Sequence, residues 1–236
     1  MAGNSFFQFK QFVINQENCA MKVGTDGVLL GAWAPLQPSA KLLDIGTGTG
    51  LVALMTAQRG AGSVTAVEID RDAAKQASEN VMQSPWSNSV QVINADILSF
   101  AETGELFDVI VCNPPFFRDS LRSPDSVRSV ARHNDTLSYE ALALSVSKLL
   151  TENGSFSVIL PSDLADEFVL ISAKNGLYLC RRCSVITKEG NPPKRELMQF
   201  CRTIKPAISE KLIMTGAEGN ESEYYVSLVK DFYLRY

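Results

Sequence analysis

Five short apolar runs, separated by stretches with helical spacing, constrain this chain more than any other feature. The runs are Lys41–Ile45, Val64–Ile69, Val90–Ile93, Phe107–Cys112 and Ser155–Leu160. Around them, Leu51–Arg59, Asp72–Gln83, Ser138–Leu150 and Leu164–Lys174 place apolar residues three and four apart. Strand and helix signals in alternation specify βαβ units and a mostly parallel sheet. Asp108-Val-Ile-Val-Cys112 is apolar after its first residue, as expected of a strand buried on both faces. Beyond the fifth run, Leu177–Thr187 and Arg195–Thr203 are β-rich and flank Glu189-Gly-Asn-Pro-Pro-Lys194, whose turn formers predict a hairpin loop. Tyr224–Tyr233 alternates and is expected to be a further strand or an edge. The predicted fold is α/β: a Rossmann-like, doubly wound, seven-stranded, mostly parallel sheet with an antiparallel C-terminal hairpin. One domain is expected over 1–236, with 1–38 an N-terminal extension and 39–236 the core.

Composition supports a globular core, with 45% hydrophobic and 20% charged residues. No stretch reaches the roughly 18–20 apolar residues that a membrane span needs. The segment Met1–Phe12 lacks the basic-then-apolar layout of a secretory signal, so a cytoplasmic location is expected. Five scattered cysteines suit reduced thiols. Cys180 and Cys183 lack the further ligands that a zinc site requires, so no metal is expected. The net charge of −4 is uneven. Residues 174–205 hold eight Lys/Arg against two acids and 118–133 hold four Arg against two, so these segments carry +8 and the rest −12. An acidic body with two basic segments is compatible with a local nucleic-acid face.

The first run leads into three alternating glycines, Gly46, Gly48 and Gly50, and then a helix. Glycines at such a junction let the backbone approach a ligand closely. A dinucleotide fingerprint would space them G-x-G-x-x-G, but here Leu51 takes the place of its third glycine. Asp44 at the strand end would repel a pyrophosphate; it suits a ligand without phosphates that carries an ammonium and a sulfonium. The second strand ends in Ala66-Val-Glu-Ile-Asp70, placing Glu68 18 positions after Gly50, near where an acid accepts ribose hydroxyls. Asp70, followed by Arg71 and Asp72, reads as a helix N-cap. Asp96, after the third strand, can accept from an adenine amine. Acids at the ends of three successive strands mark the edge where open α/β sheets bind ligands.

The fourth strand ends in Asn113-Pro114-Pro115-Phe116-Phe117. An aryl or amide nitrogen is a poor nucleophile because its lone pair is delocalised. Two acceptors that each take one N–H turn that lone pair outward and disperse the charge that grows on the nitrogen. The Asn113 side-chain oxygen and the Pro114 carbonyl can be those acceptors. Prolines offer no competing N–H and hold Asn113 out of the helical region. Phe116 offers a flat face for a flipped base. A second Asn-Pro-Pro, 191–193, is followed by Lys194 in the predicted hairpin, so the tripeptide alone is not specific.

These residues resemble the Asn-Pro-Pro-aromatic motif of amino-group methyltransferases, which leaves adenine N6, rRNA guanine N2 and release-factor glutamine N5 open. Lys22-Val-Gly-Thr-Asp-Gly-Val-Leu-Leu-Gly-Ala-Trp33, with Phe6-Phe-Gln-Phe-Lys-Gln-Phe12 and Pro193-Lys-Arg195, narrows the choice. Together with the two motifs above, they make the chain similar to the bacterial tRNA methyltransferases that modify N6 of adenine 37, next to the anticodon of valine tRNA. The resemblance implies S-adenosylmethionine as cofactor, held by Asp44, Gly46, Gly48, Gly50, Glu68 and Asp96. It places Thr25 and Asp26 near the cofactor's amino-acid end, although a helix cap explains Thr25 as well. It makes Asn113, Pro114 and Phe116 catalytic. With the basic segments, it makes Pro115, Phe117, Arg118, Arg122, Lys194 and Arg195 candidates for contact with tRNA by a monomer.

Overall fold

The computed structural model describes residues 5–19, 21–115 and 137–236. Its main sheet has eight strands: β3 (Lys41–Ile45), β4 (Ser63–Glu68), β5 (Val90–Asn94), β6 (Phe107–Cys112), β7 (Leu150–Pro161), β8 (Tyr178–Lys188), β9 (Arg195–Cys201) and β10 (Ile208–Thr215). The order across the sheet is β10-β8-β9-β7-β6-β3-β4-β5. β3 pairs in parallel with both β4 and β6, so the chain reverses its direction of winding between β3 and β6. Open α/β sheets bind ligands at such a reversal, outside the carboxyl ends of the strands. Asp44 and Asn113 stand at those two ends.

Both faces of the sheet are covered, which explains the continuous apolar runs. β6 sends Val109 and Val111 into one apolar cluster, Ile110 and Cys112 into the other. α1 (Thr25–Trp33), α2 (Leu51–Gln58) and α7 (Glu223–Val229) contribute to the first cluster. α4 (Ile97–Phe100), α5 (Tyr139–Leu149) and α6 (Ala165–Lys174) contribute to the second. α3 (Arg71–Met82) is capped by Asp70, whose carboxylate accepts from Ala73 N at 2.8 Å, as its sequence context predicts.

The segment before residue 38 packs into the core. The hairpin of β1 (Phe6–Gln8) and β2 (Val13–Asn15) shares the first cluster through Phe9, Phe12 and Ile14. Buried Asn80 of α3 accepts from Asn15 N at 2.9 Å and donates to the carbonyls of Asn15 (2.8 Å) and Thr49 (2.9 Å). One amide thus ties the N-terminal hairpin to the glycine loop.

The C-terminal hairpin is antiparallel as predicted, with β9 inserted between β7 and β8. Two expectations there are corrected. The sheet has an eighth strand, β10, parallel to β8. Tyr224–Tyr233 does not form a strand: Ser222 accepts from Tyr225 N and starts α7, which turns Tyr225 and Val229 inward at a spacing of four.

A charged cluster fixes β10 in place. Arg181 pairs with Glu210 through Nε and Nη2 at 2.9 and 3.0 Å and lies 4.2 Å from the Trp33 ring centre. Glu210 also accepts from Trp33 Nε1 and Tyr224 Oη, and the Arg181 bonds hold its carboxyl below the ordinary value. Arg181→Ala is expected to lower stability by about 1–2 kcal/mol, read from a urea unfolding midpoint. An unchanged midpoint would show the cluster to be a surface ornament.

Candidate active site

The glycine turn takes the shape its sequence calls for. Gly46 and Gly48 have φ of +67° and +56°, and a Cβ at either would meet nothing within 4 Å, so the turn presents bare backbone to open space. Gly50 serves the loop differently: it is the left-handed residue that starts α2. Asp44 secures the loop from beneath, its Oδ2 accepting from Thr47 Oγ1 at 2.6 Å and Ala53 N at 3.1 Å. Only 1% of Asp44 is exposed, and burial pushes its carboxyl up to about 7. Hydrogen bonds from Thr47 and Ala53 oppose that shift, while the nearby Glu68 charge adds to it.

Glu68 accepts from Gly48 N at 2.8 Å and Asp70 N at 3.0 Å, one bond to each oxygen. A carboxylate has about four lone-pair sites, so both oxygens keep capacity for ligand hydroxyls. Asp96 caps α4 through a 3.2 Å bond from Leu98 N to Oδ1.

These residues border a cavity of about 1100 Å³ at the carboxyl ends of β3, β4 and β6. It brings together Asp44, Gly46, Gly48, Glu68 and Asp96 with Thr25, Asn113, Pro114 and Pro115. Gly50 is not among the lining residues. Thr25 does not cap α1; Gly24 does, without a side-chain bond. Sequence reasoning missed Asn18, Cys19, Met21 and Lys22, which form another wall. Nothing local in that stretch signals a site; it is brought there by the bond from Val23 N to Gln16 Oε1 and by the Asn80 tether. Burial, with Glu68 and Asp70 nearby, pushes the Cys19 thiol up to about 11, so it is a neutral wall residue. Ile69 and Leu98, exposed apolar residues at the rim, were also missed.

Asn113 follows β6 directly. Its side-chain oxygen is buried and accepts no hydrogen bond from any described residue. A Cβ built on Gly27 would lie 3.7 Å from Asn113 Nδ2 and 3.1 Å from Leu51 Cδ2, so the first turn of α1 packs against the amide. Phe116, Phe117, Arg118 and Arg122 lie outside the described residues.

Within the basic stretch at 174–205 the arginines are engaged by the protein itself, while Lys174, Lys188, Lys194 and Lys205 are exposed. Arg181 is taken by Glu210, and Arg182 pairs with Glu196 and Asp166. Arg202 donates to the carbonyls of Ser147 and Leu150. Arg195 opens β9, where the predicted β-rich stretch begins, and pairs with Asp26 at 2.7 Å. Lys194 is exposed at the tip side of the hairpin. Among the described residues, no three His, Cys, Asp or Glu side chains group as metal ligands.

The chain matches the family model of the methyltransferase small domain over residues 23–170. A tRNA1(Val) (adenine(37)-N6)-methyltransferase of Bacteroides fragilis strain YCH46 is 52% identical over 98% of both chains. One from Tolumonas auensis is 43% identical over 100% of this chain and 99% of its own. Among solved structures, a predicted O-methyltransferase from Agrobacterium tumefaciens superposes with a TM-score of 0.66 at 19% identity, covering 88% of this chain and 96% of its own. A Thermus thermophilus 16S rRNA methyltransferase in complex with AdoMet and guanosine gives 0.58 at 18% identity, over 84% of this chain and 50% of its own. At these identities the two structures speak to the fold.

Proposed function

The chain belongs to the family of tRNA1(Val) (adenine(37)-N6)-methyltransferases, and from that membership we propose that it methylates N6 of adenine 37 in a valine tRNA, using S-adenosylmethionine. The observation that carries this is the buried, unpartnered oxygen of Asn113 beside the cavity. A buried acceptor without a donor costs about 1–3 kcal/mol, and a substrate amine supplies the missing N–H. The relatives described above are named for adenine N6.

The residues fit the cofactor. Gly46 and Gly48 leave the loop face bare, and Asp44, Glu68 and Asp96 offer carboxylates to a cationic ligand with hydroxyls and an amine. The cavity exceeds the ~300–1,000 Å³ of ordinary ligand sites, leaving room for a base beside the cofactor. When bound, S-adenosylmethionine supplies an electrophilic methyl on a sulfonium. Asn113 Oδ1 and the Pro114 carbonyl each accept one N–H of the adenine amine, turn its lone pair toward the methyl and disperse the positive charge growing on nitrogen. The proton leaves afterwards to water, so no general base is required. Thr25, which lines the cavity, would hold the amino-acid end of the cofactor. On sequence grounds, Phe116 is the candidate to stack on the flipped base, and Pro115, Phe117, Arg118 and Arg122 are candidates for contact with the RNA.

Among the described residues, no helix is long and apolar enough to cross a membrane. In the same proposal the enzyme is a cytoplasmic monomer. Incubation with labelled S-adenosylmethionine and tRNA lacking the modification, followed by nucleoside mass spectrometry, should yield N6-methyladenosine. Label in guanosine, or in no nucleoside, would overturn the proposal. Lys194 is proposed to touch the RNA backbone. Lys194→Ala should weaken tRNA binding across sequences and lower the slope of log K against log salt by about one. Identical slopes would leave Lys194 solvated.

A further inference from the structure

We propose that Asp26 and Arg195 form a positioning pair that holds the first turn of α1 against Asn113, so that the pair sets turnover rather than tRNA affinity. This rests on the methyltransferase function proposed above. Arg195 opens β9 opposite Pro161, where β7 ends, and β7 lies beside β6, which delivers Asn113. From there its Nε reaches Asp26 Oδ2 at 2.7 Å, while Nη1 donates to the Lys194 carbonyl at 3.0 Å. The guanidinium is thus tied to its own strand on one side and to α1 on the other. Both side chains are mostly shielded, at 31% and 24% exposure, which spares the pair most of the screening that weakens surface ion pairs.

The two ends of α1 are held in different ways. At its C-terminal end, Arg59 donates to the carbonyls of Gly31 and Ala34, and a Cβ on Gly31 would lie 2.9 Å from Met55 Sδ. That end is pinned by packing. At the N-terminal end Gly24 caps without a side chain, and the side-chain tether of the first turn among the described residues is Asp26 to Arg195. The next residue, Gly27, is the one that backs the Asn113 amide and Leu51. The Asn113 oxygen is unpartnered among the described residues, and its amide nitrogen faces this turn. If the turn moves, the acceptor that must meet the substrate amine moves too, and small displacements of a catalytic group are costly. The acid also suits a helix N-terminus, where the macrodipole favours negative charge.

A rival role for Arg195 is direct contact with a tRNA phosphate. The two roles differ at Asp26, which a phosphate contact does not need. Steady-state kinetics on a valine tRNA transcript should be compared for wild type, Asp26→Asn, Arg195→Gln, Arg195→Lys and the Asp26→Asn/Arg195→Gln double variant. Cofactor affinity should be followed by calorimetry. Positioning predicts that each neutralising change lowers kcat roughly 10-fold, with KM for tRNA within about 2-fold of wild type. Asp26 also borders the cavity, so a folded Asp26→Asn whose cofactor Kd rises by more than its kcat falls assigns the acid to the cofactor and overturns the pair. The double variant should be no slower than either single variant, and Arg195→Lys should lie between Gln and wild type. Wild-type kcat in Asp26→Asn, or a lower KM for tRNA as Arg195 is released, overturns the pair. So do additive losses in the double variant. If Asp26→Asn or Arg195→Gln loses cofactor binding and folding together, the Lys variant decides, and wild-type kcat there with a raised KM for tRNA assigns Arg195 to phosphate. Failure of the wild type to methylate tRNA removes the underlying function instead.

Discussion

Asn113→Ala should cut turnover at least about 100-fold while cofactor affinity stays close to wild type, because a preorganised transition-state contact is lost and ground-state binding is not. The side chain occupies the end of β6, and its Oδ1 has no donor among the described residues. Its role is therefore visible only when substrate is present. Truncation removes an acceptor that has no donor among the described residues, so the thermal midpoint should move little. Asn113→Asp, which keeps an acceptor oxygen of the same size, should recover part of the lost rate. Single-turnover rates and calorimetry on the same preparations separate the two effects. An Ala variant with wild-type turnover would end the amine-orienting role of Asn113.

The second large effect concerns Asp44 and pH. Burial raises its carboxyl from an ordinary 3.8 to about 7, so the free protein holds a proton there that the unfolded chain releases near 4. A group whose folded value is raised contributes stability that is present below its unfolded value and lost as pH rises through the folded one. The free protein should therefore lose stability between about pH 4 and pH 8 on this account. Cofactor binding runs the other way, since a cationic ligand nearby favours the ionised form. Affinity should rise with pH toward 7 by at most about tenfold per unit, with one proton released, and level off above. Calorimetry in buffers of different ionisation enthalpy counts that proton. Asp44→Asn should flatten the profile and weaken binding by about 1–3 kcal/mol, because one charged acceptor is gone. A profile equally steep in the Asn variant would assign the proton to another group.

The parts of the fold that were legible in sequence are those where one physical demand dominates. β3 and β6 match their predicted limits because both faces are buried and each run is bounded by a helix signal or a turn. The glycine loop was legible because bare backbone with positive φ leaves few alternatives to glycine. β10 was not, since an edge strand that fully buries only Leu212 carries little hydrophobic pattern. Glu223–Val229 misled because Tyr and Val favour strands, and the deciding signal was the Ser222 cap rather than the alternation. The partners of the arginines in the basic stretch were not legible, for a different reason. Arg181, Arg182 and Arg195 find their acids at Glu210, Glu196, Asp166 and Asp26, and no local window of sequence contains those encounters.

The insertion of β9 between β7 and β8 dictates an order of events while the chain emerges from the ribosome. β8 is made first, yet its place is one strand away from β7, so the outer edge of β7 stays open until β9 has been synthesised. An open edge beside buried Phe156, Val158 and Leu160 is a template for association with other nascent chains. β8 therefore cannot join the sheet until β9 is available to pair with both β7 and β8. Arg195 arrives with β9, so a growing chain already contains the glycine loop and Asn113 before it can join Asp26 to its partner.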